Sequence, residues 1–117
     1  MSDYDQNNIF AKIIRGEIPS TKIYEDDGIL AFEDISKAAP IHILVIPKGE
    51  YISFEDFALK AGSDEVANFF KQIAKIAAEQ NLEDGYRLIT NNGKNAGQTV
   101  FHFHVHILGK KKMSHLL

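Results

Sequence analysis

Three of the five histidines in this chain stand on alternate residues, in His102-Phe103-His104-Val105-His106-Ile107-Leu108. Strict alternation reads as a β-strand, in which residues i, i+2 and i+4 share a face. It predicts a row of imidazoles on one side, with Phe101, Phe103, Val105 and Ile107 packed into the core on the other. Imidazole is the side chain whose ordinary pKa lies nearest neutrality, so such a row suits nucleophilic attack, proton transfer or metal binding.

Three readings compete for the row. The plainest is a surface strand with histidines outward, although outward positions on a strand more often carry Lys, Glu or Thr. The second is a metal site. Alternate Cα atoms on a strand lie roughly 7 Å apart, so two imidazoles can lean onto one zinc while a third strains to reach it. A further ligand would have to come from His42 or a carboxylate, because the chain has no cysteine. The third reading is covalent catalysis, in which imidazole attacks phosphorus or an acyl carbon. It requires one unprotonated ring nitrogen aimed outward and the other held by an acceptor such as a backbone carbonyl. Neighbouring imidazoles disfavour each other's cationic forms, which keeps an attacking ring neutral. A flanking histidine can then pass a proton to the leaving group. The preceding loop supplies neutral donors for phosphate oxygens: Asn91, the Gly97 backbone, Gln98 and Thr99.

Elements able to position such a row can be read along the chain. Asn7 or Asn8 can cap a short helix with Ile9, Phe10, Ile13 and Ile14 on its apolar face, ended by Gly16. Residues 21–25 and 29–33 read as strands joined by Asp26-Asp27-Gly28, a hairpin signal. Residues 41–46 form a β-branched run buried on both faces and bounded by Pro40 and Pro47. Phe54, Phe57, Ala58 and Leu59 suggest a short helical piece. Ser63 is a plausible N-cap for the main amphipathic helix, with Val66, Phe69, Phe70, Ile73, Ile76 and Ala77 at helical spacing. Residues 86–90 read as a strand entering the polar loop 91–97, and the signature strand spans about 98–108. The expected fold is α+β: an antiparallel sheet with one long and one short helix.

The totals bound the function. With 117 residues, 44% hydrophobic and 25% charged, one ordinary globular domain over residues 1–117 is expected. A formal charge of −3 gives no basic footprint for nucleic acid. Lys110-Lys111-Lys112 is read as a solvated part of a variable tail, 110–117. The acidic start Met1-Ser2-Asp3-Tyr4-Asp5 has no secretory pattern, and no apolar run approaches membrane-spanning length. A cytoplasmic protein without a membrane partner is expected.

The row resembles the His-φ-His-φ-His-φ-φ signature (φ hydrophobic) of the histidine triad (HIT) family, and the chain is similar to its Hint branch in particular. Segments 9–19, 24–27, 30–35 and 39–48 continue the likeness, which runs from about Asn8 to Gly109. The resemblance implies an α+β fold with a five-stranded antiparallel sheet, extended to ten strands in a homodimer. It also implies purine nucleoside phosphoramidase activity, releasing AMP or GMP from an amine. His104 then corresponds to the nucleophile, His106 to the phosphate contact that assists proton transfer, and His102 and His42 to the histidines completing the set. Thr99 stands where serine is usual. Asn91, Gly97 and Val100 correspond to positions around the phosphate, and Asp34 to the carboxylate that holds the ribose hydroxyls. Ile9, Phe10, Ile13, Ile18, Phe32 and Ile35 correspond to the purine slot. Read without the resemblance, these residues would serve equally as core, and Asp34 as a cap on the turn into Ser36. Glu33 departs from relatives that carry histidine beside the sugar-binding carboxylate, and the tail differs from better-known ones. No cofactor is implied as required, and zinc binding is compatible but not expected to be catalytic. Hydrolysis of acyl-adenylates or dinucleoside polyphosphates, or a purine-nucleotide-binding regulatory dimer, are the alternatives.

Overall fold

The computed structural model describes residues 4–114, so His115 and both chain ends lie outside the described residues. Five strands form one antiparallel sheet: β1 (Lys22–Glu25), β2 (Ile29–Glu33), β3 (Ile41–Pro47), β4 (Tyr86–Ile89) and β5 (Val105–Gly109). Their order is β1-β2-β3-β5-β4, which puts β3 at the centre with β2 and β5 on either side of it. The alternating pleat gives the sheet two unlike faces. On one, Ile43, Val45, Val105 and Ile107 meet Phe57 of helix α2 (Phe54–Lys60) and Phe69, Ile73 and Ile76 of helix α3 (Ser63–Glu79). On the other, Leu30, Phe32, Leu44 and Ile46 pack under Phe10 and Ile13 of helix α1 (Ile9–Ile14). Burial of β3 on both faces explains its unbroken β-branched sequence.

Local chemistry sets the boundaries. The Asn8 side chain accepts a hydrogen bond from the Ala11 amide and starts α1, and Gly16 leaves the helix with φ +80°. Asp26 Oδ1 accepts from both the Gly28 and Ile29 amides at 2.8 Å, which closes the β1–β2 hairpin. The sheet and the long helix follow the sequence pattern.

Four details differ from it. There are two short helices, because Ser53 accepts from the Asp56 amide and gives α2 a side-chain cap of its own. Helix α3 is preceded by Gly62 as cap residue, with Ser63 already inside. Phe70, at helical spacing, is largely exposed. The histidine stretch enters the ladder only at Val105. Upstream of it, the Phe103 amide donates to the Tyr51 carbonyl (2.8 Å) and Thr90 Oγ1 donates to the His104 carbonyl (2.7 Å). These groups are therefore taken by a loop and a side chain, not by a strand. The backbone bends at His102, the alternation fails there, and Phe101 is 44% exposed rather than in the core.

Candidate active site

The histidines gather on the α1 face of the sheet, where β3 and β5 lie side by side. The register pairs Leu44 with His106 and His42 with Leu108, so His42 and His106 are diagonal neighbours across the two strands. Their rings meet at 2.8 Å between His42 Nε2 and His106 Nδ1. His42 Nδ1 accepts from the Ala38 amide at 3.0 Å, so the proton of this ring resides on Nε2. His42 therefore donates to His106 Nδ1, which leaves the His106 proton on Nε2. Asp34 Oδ2 stands 3.4 Å from His42 Nε2 and supports the proton there.

His102 and His104 are set by backbone carbonyls. His102, with no exposed surface, donates from Nε2 to the Pro47 carbonyl at 2.7 Å. His104 donates from Nδ1 to the His102 carbonyl at 2.7 Å. Nε2 is then the unprotonated nitrogen of a ring that lines a cleft. The Phe10 ring meets it edge-on at 4.9 Å, and the His106 ring stands 5.2 Å away.

Electrostatics agree with these tautomers. Burial pushes the pKa of His102 and of His106 down to about 4, assisted by the neighbouring imidazoles. Burial lowers those of His104 and His42 as well, with Asp34 opposing the shift in both. The cluster is neutral at pH 7. It combines an unprotonated nitrogen at His104 with a proton-bearing nitrogen at His106.

The cleft encloses about 400 Å³, the scale of a small-ligand site. Ile9, Phe10, Ile13, Ile18, Phe32 and Ile35 line it together with Asp34, Thr99, Val100, His104 and His106. His102 and His42 stand behind this wall and act on it through hydrogen bonds. Asn91 and Gly97 lie on the preceding loop and are not lining residues. Asp34 caps the turn, Oδ1 accepting from the Ser36 amide at 2.8 Å, and the residue also lines the cleft.

Sequence reasoning missed Pro19, Ser20, Ser36 and Leu44 on the cleft wall. The Ser20 hydroxyl has no hydrogen-bond partner there, and a hydroxyl beside a proline carries no sequence signal that could have found it. Gln98 is corrected. Its amide is buried, accepts from the Gly93 amide and donates to the carbonyls of Ile52 and Val100, so it fastens the loop and offers nothing to a phosphate. A second hollow of about 530 Å³, between the α3–β4 turn and residues 110–112, contains no histidine.

Asp34, His42 and His106 bring their ligand atoms within 4.8 Å of one another, a nitrogen and oxygen donor set that suits zinc. A metal there would replace the proton that His42 shares with His106.

Comparison with known proteins is consistent over nearly the full length. A HIT-like protein of Rickettsia prowazekii is 56% identical over 115 residues, 97% of this chain and 96% of its own. The 14 kDa zinc-binding protein of Zea mays is 44% identical over 111 residues, 94% of this chain and 87% of its own. The solved HIT family hydrolase of Clostridium thermocellum superposes with a TM-score of 0.87 at 41% identity, covering 97% of this chain and 98% of that one. The HIT domain family model matches residues 15–113, a span that contains all four clustered histidines, and the chain belongs to the HIT domain family.

Proposed function

We propose that the protein is a Hint-type nucleotide hydrolase that cleaves the P–N bond of purine nucleoside phosphoramidates. One observation carries the reading: His104 Nδ1–H is tied to a carbonyl, so its Nε2 lone pair is available beside a second ring whose outward nitrogen bears a proton. In the first step His104 Nε2 bonds to the α-phosphorus and the P–N bond breaks, with the departing amine taking a proton through His106 Nε2, which is replenished from solvent. In the second, water attacks the same phosphorus and the histidine–phosphorus bond breaks. AMP or GMP is released, and the water's proton leaves to solvent by way of His106.

The apolar wall from Ile9 to Phe32 suits a flat purine, and the Asp34 carboxylate suits the paired hydroxyls of ribose. Thr99 supplies a hydroxyl at the phosphate end. Zinc on Asp34, His42 and His106 would act as a Lewis acid, but it would occupy the nitrogens of the proton relay, so this reading gives it no step. The clostridial relative's description as a hydrolase supports the reaction class. A cytoplasmic location is part of the proposal; among the described residues no helix is long and apolar enough to cross a membrane.

A homodimer completes the proposal, with two sheets joined along β4 into ten strands. Tyr86 and Leu88 are exposed on that edge. On the other edge β1 carries a register irregularity and the Lys22–Glu25–Lys48 charge cluster, features that discourage strand pairing.

AMP release from adenosine 5′-phosphoramidate, measured with chelator present, tests the reaction. Wild type is expected to turn over, and His104→Ala to lose at least roughly a thousandfold in kcat, the scale of removing a covalent nucleophile. Wild type inert without metal, or an active His104→Ala variant, would overturn it.

A further inference from the structure

The residues before α1 form a strap across the back of the histidine cluster. Asp5 turns the chain, its Oδ1 accepting from the Asn7 amide at 2.9 Å and its carbonyl accepting from Asn8 Nδ2 at 2.8 Å. Arg15, at the end of α1, donates to the Gln6 carbonyl at 2.9 Å. Gln6 in turn donates to Glu50, in the loop after β3. The strap is therefore tied to α1 and to the β3 loop.

That arrangement puts the Tyr4 hydroxyl 2.5 Å from His102 Nδ1, with the two rings edge-to-face at 5.5 Å. His102 Nε2 is already donating to Pro47, so Nδ1 is the acceptor and Tyr4 Oη–H the donor. The carbonyl of the same His102 receives the His104 Nδ1 proton. Tyr4 does not line the cleft; its hydroxyl and ring meet His102, which stands behind the cleft wall. Its hydrogen-bonded link to the histidine cluster therefore runs through His102.

We propose that Tyr4 is a positioning residue: it locks the tautomer and orientation of His102 and so holds the carbonyl that aims the attacking nitrogen of His104. The proposal rests on the phosphoramidase reading for its kinetic consequence but not for its structural one. Two contacts made by a single residue, His102, would link a segment outside the family signature to the chemistry inside it.

Tyr4→Phe tests this, because the ring contact stays and only the hydroxyl goes. Two readouts apply: the ¹⁵N resonances of the His102 and His104 ring nitrogens without substrate, and kcat and KM for adenosine 5′-phosphoramidate. The His102 Nδ1 resonance is expected to move toward that of an unbonded acceptor nitrogen, and the His104 Nδ1 resonance to move with it. The kcat is expected to fall roughly three- to tenfold, the scale of one neutral hydrogen bond, with KM unchanged. Tyr4→Ala, which also removes the ring, should fall further. Unmoved resonances, an unchanged kcat, or an effect confined to KM would overturn the role. If wild type proves inert, the proposed function fails and the His104 resonance alone decides: a shift in Tyr4→Phe retains the positioning role, and no shift ends it.

Discussion

His42, His102 and His104 each commit one ring nitrogen to a backbone group, namely the Ala38 amide, the Pro47 carbonyl and the His102 carbonyl. A backbone partner fixes which nitrogen carries the proton and adds no net charge. Neutrality of the cluster then follows from burial, and it has a consequence for stability. The ordinary imidazole value is 6.5, and the folded values of His102 and His106 lie near 4. Between these limits the unfolded chain binds more protons than the folded one, so stability rises with pH across that window. The contribution is complete above 6.5 and is lost as the pH falls toward 4. Urea midpoints are expected to drop between about pH 7 and 4.5, by on the order of a few kcal/mol in stability. A flat profile would mean that the rings accept protons inside the intact fold. The acid limb of kcat/KM is expected below 6.5 for the same reason, since burial keeps His104 unprotonated into mildly acidic solution.

At the scale of elements, legibility tracked burial. Strands β2 and β3 were plain in the sequence because central strands buried on both faces need continuous apolar runs. The amphipathic repeat announced α3, whose buried residues are Phe69, Ile73, Ile76 and Ala77. The stretch from Val100 to His104 was misread as strand because its composition alternates while its hydrogen bonds go elsewhere, to Tyr51 and Thr90. Composition cannot report a partner distant in sequence. The three alternating histidines were legible from spacing alone, but the catalytic role assigned to His42 beside them and most of the cleft wall were legible only through the family likeness, since an aliphatic residue looks the same in a core or a pocket. Gln98 was misjudged for a related reason: an amide side chain binds a backbone as readily as a phosphate. Its three bonds predict a structural role. Gln98→Leu is expected to cost about 2–4 kcal/mol, because it leaves buried backbone groups unpaired. Thermal melts would show it, and a melting temperature equal to wild type would return Gln98 to the list of ligand-facing residues.

For the whole molecule, the two sheet edges are unequal, and the proposed dimer is testable through them. Sedimentation is expected to give a mass of two chains for wild type and of one for Leu88→Lys, which places a charge on the exposed face of β4. A monomeric wild type, or a variant that still pairs, would remove β4 as the joining edge. Because pairing stabilises by mass action, the melting temperature should rise with protein concentration for wild type and not for the variant.

The charge cluster on β1 also limits how far association can go. Strand addition has no built-in end point: a sheet with two open edges can recruit copies indefinitely, as a fibre does. In the proposed dimer the edge free of that charge cluster would be spent when it meets its own copy across a two-fold axis, and the outer margins of the pair would both be β1. Lys22, Glu25 and Lys48 would then stand guard at each end of a ten-stranded sheet, so growth stops at a closed pair.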